Sequence, residues 1–120
     1  MSDDTKVFFE LSQSLSHASD RELAELAYAA LERFDPQTAL FSGSKAERIR
    51  AWAQTKFLTV CESTGQQGKD LLRTLTDEPT RNDLALAAAV AAMLSKLAGF
   101  EGLPIEGIVA LSLLVVRLKR

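Results

Sequence analysis

Apolar residues crowd into the last third of this chain. Between Leu84 and Val116, charge interrupts the run only at Lys96, Glu101 and Glu106. A helix that crosses a membrane needs roughly 20 consecutive apolar residues. Lys96 and the Gly99–Gly102–Pro104 break instead divide the run into two pieces, each nearer a buried-helix length. The pattern predicts the core of a small helical domain and no membrane span.

Upstream, helical spacing and capping signals recur while strand signals are nearly absent. Helix one is expected over about residues 5–17, with Val7, Phe8, Leu11 and Leu15 on one face and Phe9 pointing away. Ser19 and Glu22 then form an S-x-x-E capping box that opens helix two. Its inward stripe is Leu23, Ala27, Ala30, Leu31 and Phe34, with Glu25 and Glu32 on the far side and Tyr28 nearby. Asp35–Pro36 ends it, because proline disfavours helical geometry in the preceding residue. A second box, Ser44 to Glu47, opens helix three, which is expected to run to about Glu62 with Ala46, Ile49, Ala53, Phe57 and Val60 inward. Gly65–Gly68 reads as a turn, followed by a shorter, more polar helix four bearing Leu71, Leu72 and Leu75.

Thr80 is the expected cap of helix five, with Asp83 placed to favour the positive end of the helix dipole. This helix is apolar all round. Leu86, Val90, Met93, Leu94 and Leu97 share one side, and Ala87, Ala88, Ala91 and Ala92 fall largely on the other. Large residues opposite small ones suit a helix that neighbours approach closely. Pro104 starts helix six, apolar around most of its circumference and ending in Arg117, Lys119 and Arg120. The reading is all-α: a single compact bundle of about six helices, with alanine-rich helix five at the centre. Helix six is expected either to be buried or to dock onto a partner.

Composition adds bounds. One hundred and twenty residues make one domain, either a very small protein or the N-terminal module of a longer one. A hydrophobic fraction of 47% and a charged fraction of 25% are those of a globular chain. The net charge of −2 argues against a dedicated nucleic-acid binder. One cysteine and an acidic, polar N-terminus without a signal-peptide stretch point to a reducing, cytoplasmic setting.

Candidate chemistry is sparse. His17 and Cys61 are the only histidine and cysteine, too few for a typical zinc site, and each has an ordinary structural explanation near a helix end. No phosphate-binding loop is present, since Gly65–Gln66–Gln67–Gly68–Lys69 lacks the spacing and the preceding strand. The expectation is a chain with no catalytic residues, no metal, no cofactor and no evident small-molecule substrate.

The charged faces carry more. Lys45, Arg48, Trp52 and Lys56 fall on one side of helix three, and a tryptophan flanked by cations suits a binding anchor. Packing of Trp52 at the edge of the core is the alternative. Helix two offers an acidic side, Glu22, Glu25 and Glu32, so the basic face of one copy could meet the acidic face of the next. The same basic helix, with Arg50, supports a second function: a small nucleic-acid-binding subunit tracking phosphates while Trp52 stacks a base.

Six capped helices with opposed charged faces and an apolar close at Leu103–Pro104–Ile105 resemble the death-fold superfamily, and more particularly the CARD-like adaptor modules of bacterial antiphage operons. The resemblance implies a non-catalytic adaptor that self-associates, or recruits an effector such as a protease, through like-with-like contacts.

Overall fold

The computed structural model describes residues 3–77, 83–97, 99–100 and 102–119. Within them the chain forms α1 (Asp3–Leu15), α2 (Asp20–Phe34), α3 (Lys45–Thr55), α4 (Phe57–Ser63), α5 (Gln66–Asp77), α6 (Asp83–Leu94) and α7 (Ile105–Lys119), with a 3-10 turn at Pro36–Leu40. No strand occurs among the described residues. A radius of gyration of 13.0 Å matches the ~13–14 Å of one folded body of this length.

Capping chemistry sets several boundaries. The Glu22 amide donates to Ser19 Oγ at 3.2 Å, opening α2. At α3 the box is complete: the Glu47 amide donates to Ser44 Oγ at 3.2 Å, and the Ser44 amide donates to Glu47 Oε1 at 3.4 Å. Asp35, held extended before Pro36 (φ −138°, ψ 92°), ends α2 and starts the 3-10 turn, its Oδ1 accepting from the Gln37 amide at 3.1 Å. The expected Thr80 cap lies outside the described residues.

The expected third helix is two helices, which raises the count from six to seven. Lys56 departs from helical geometry (φ −116°, ψ −20°) between α3 and α4. Its amide still donates to the Trp52 carbonyl, and its carbonyl accepts from Val60. On an unbroken helix, residues 52 and 57 would point about 140° apart. Across the break both rings are fully buried and meet edge-to-face, centroids 5.8 Å apart.

The centre of the fold is α7 rather than the alanine-rich helix. Residues 107–116 of α7 are all buried, enclosed by α2, α6, α1 and the edge of α3. α6 lies to one side, between α1, α5 and α7. The reason is area: Ile108, Val109, Leu111, Leu113, Leu114, Val115 and Val116 each take far more apolar surface out of water than an alanine does. Gly107 brings α2 against α7, since a Cβ there would lie 2.7 Å from that of Ala30. The uncertainty over the last apolar helix is thereby resolved in favour of burial within the chain.

Two smaller expectations also change. Val7 is 43% exposed, so the inward face of α1 is Phe8 with half-buried Leu11 and Leu15. Gly68 sits inside α5 rather than in a turn, and a Cβ there would collide with the Cys61 carbonyl oxygen and Thr64 Oγ1. That closeness lets α5 fold back on α4.

Candidate functional site

The basic and acidic faces meet inside one molecule at a single pair, Lys45 and Glu25, because α3 packs beside α2. Lys45 Nζ lies 2.7 Å from Glu25 Oε2 and 5.7 Å from the Tyr28 ring centroid. The hydrogen bond to the Glu25 carboxylate, with that group's charge, holds the Lys45 ammonium above the usual lysine pKa. Arg48 Nη1 donates to the Tyr28 hydroxyl at 3.2 Å. Lys56 Nζ reaches Gln37 Oε1 at 2.9 Å and Asp35 Oδ2 at 3.3 Å, and lies 5.8 Å from the Phe41 ring. Glu22 turns to the Ser19 hydroxyl, which donates to its Oε1 at 3.4 Å, while Glu32 is exposed and its charge adds to that of Glu25 in favouring the Lys45 ammonium.

Trp52 is not on that surface. Its relative exposure is 0%, with Phe34 edge-on at 6.3 Å and Phe57 on another side. The tryptophan is therefore a core residue rather than an exposed anchor. Phe34 in turn stacks on Phe100, centroids 4.1 Å apart, so these aromatics tie α2, α3 and α4 to the turn before α7. The stripe of cations and the stripe of apolar residues are neighbours on α3, and Phe34 of α2 packs against Trp52 while Ile49 and Ala53 border α7. The long basic side chains extend from beneath this packing toward their polar partners. Neither Trp52 Nε1 nor Arg48 Nε has a hydrogen-bond partner, although both are buried.

The remaining cations divide. Arg50 is exposed and pairs with no described residue. Arg117, at the end of α7, donates to Asp20 Oδ1 at 2.6 Å and to the carbonyls of Ser16 and Ala18 at 3.2 and 3.3 Å. It thus fastens the last helix to the α1–α2 connection, supplying donors to two carbonyls of that connection. Cys61 is fully buried, and desolvation pushes its thiol up to about 11, so the nucleophilic thiolate is scarce near neutrality. His17, by contrast, is exposed after the end of α1. Among the described residues no cluster of three or more metal-ligating side chains occurs, and no helix is long and apolar enough to cross a membrane.

Two exposed leucines escaped the sequence reading. Leu40, at the end of the 3-10 turn, is 83% exposed, and Leu58, early in α4, is 54% exposed. Helical periodicity says nothing about Leu40, which lies outside any α-helix. Leu58 lies off the inward Ile49–Ala53–Phe57 stripe, and helical spacing does not say whether a neighbouring element covers that side. No family model, curated protein or solved structure matches the chain.

Proposed function

We propose that this chain is a non-catalytic protein–protein interaction module, working in the cytoplasm by self-association or by recruiting an effector. The observation that carries the reading is the placement of apolar side chains. The interior is filled from within the chain, the final helix included, yet Leu40 and Leu58 stand in solvent. Leucines gain free energy when a partner takes them out of water. The inert environment of Cys61 favours a role without covalent catalysis. The sharper form of the proposal, a death-fold-like adaptor of bacterial antiphage defence, rests on the resemblance in helix content and capping alone.

The contact surface then lies away from the Lys45–Arg48–Trp52–Lys56 face, where Lys45, Arg48 and Lys56 each make a polar contact within the molecule and Trp52 is buried. The test is sedimentation of the purified chain across a concentration series, alone and as Leu40→Glu and Leu58→Glu. Mass that grows with concentration, and is lost in either variant at unchanged helical circular dichroism, supports self-association through these leucines. The same growth in both variants removes them from the contact. A strict monomer throughout removes self-association and leaves docking of a different protein.

A further inference from the structure

We draw no further inference here: the strongest candidate, the shallow groove between α3 and α7 floored by Ile49, Ala53 and Val115 and rimmed by Arg50, carries nothing because its floor is almost wholly closed to solvent, Arg117 beside it is already engaged with Asp20, and nothing in the structure shows what covers it.

Discussion

Lys45 Nζ and Glu25 Oε2 stand 2.7 Å apart, joining two helix faces whose charges would otherwise be free to meet another molecule. Both side chains keep about half of their solvent exposure, 46% and 58%, so the pair is screened and weak. Its stabilisation is fully present below the ordinary lysine pKa of about 10.4. It disappears as pH rises through the raised value of the folded state, because deprotonation removes the charge that Glu25 favours. Thermal melts of the native chain and Glu25→Gln should therefore differ slightly at neutral pH, less in high salt, and not at all once Lys45 is neutral.

Trp52→Ala should unfold the domain more easily rather than spare the fold and disable a contact. Removing a fully buried tryptophan costs about 3–5 kcal/mol. Trp52→Phe should cost less, since it keeps much of the ring and also deletes a buried N–H without a partner, itself worth roughly 1–3 kcal/mol. Urea denaturation of both variants gives the comparison. Native stability in Trp52→Ala would contradict the core placement.

Gly68→Ala reverses the usual rule. In an exposed helix interior this exchange stabilises by about 1 kcal/mol. Here the new methyl group meets the Cys61 backbone carbonyl, which cannot rotate away, so overpacking of about 1–3 kcal/mol should outweigh the gain. A lowered melting temperature is the expected result.

Cys61 should react slowly with a thiol reagent in the folded chain and rapidly in urea, since burial both blocks access and holds the thiol protonated. Its raised pKa also predicts a loss of stability as pH climbs from the ordinary thiol value of 9.0 through about 11, because the unfolded chain ionises first. Replacing Cys61 by Ala should remove that part of the alkaline slope.

Arg117→Ala should release the α1–α2 connection from the end of α7. The ion pair with Asp20 is partly exposed, so a loss of about 1 kcal/mol is expected. Hydrogen exchange should quicken around residues 16–23 and leave the centre of α7 protected. Uniform protection in the variant would show that packing alone holds the connection.

Much of the helical architecture was legible in residue order. Ser19, Ser44 and Asp35–Pro36 act through groups only a few positions away, so their hydrogen bonds and steric conflicts are local and appear in the structure where the sequence places them. The apolar stripes of α2 and the inward residues Ile49, Ala53 and Phe57 followed from helical spacing for the same reason. The break at Lys56 did not, because the edge-to-face contact it allows between Trp52 and Phe57 joins residues that an unbroken helix points about 140° apart.

The sequence by itself determined the helical class, the caps at Ser19, Ser44 and Asp35, and the division of the apolar run into pieces too short to cross a membrane, since each depends on spacing along a single segment. Only the tertiary structure decided which apolar helix is central, and it chose α7 because aliphatic side chains bury more area than alanines when neighbours cover them on all sides. It decided the charged faces as well. A helical projection shows which residues share a side but not what lies against that side, and α2 lies against α3. That packing gives Lys45 its Glu25, Arg48 its Tyr28 and Trp52 its place in the core.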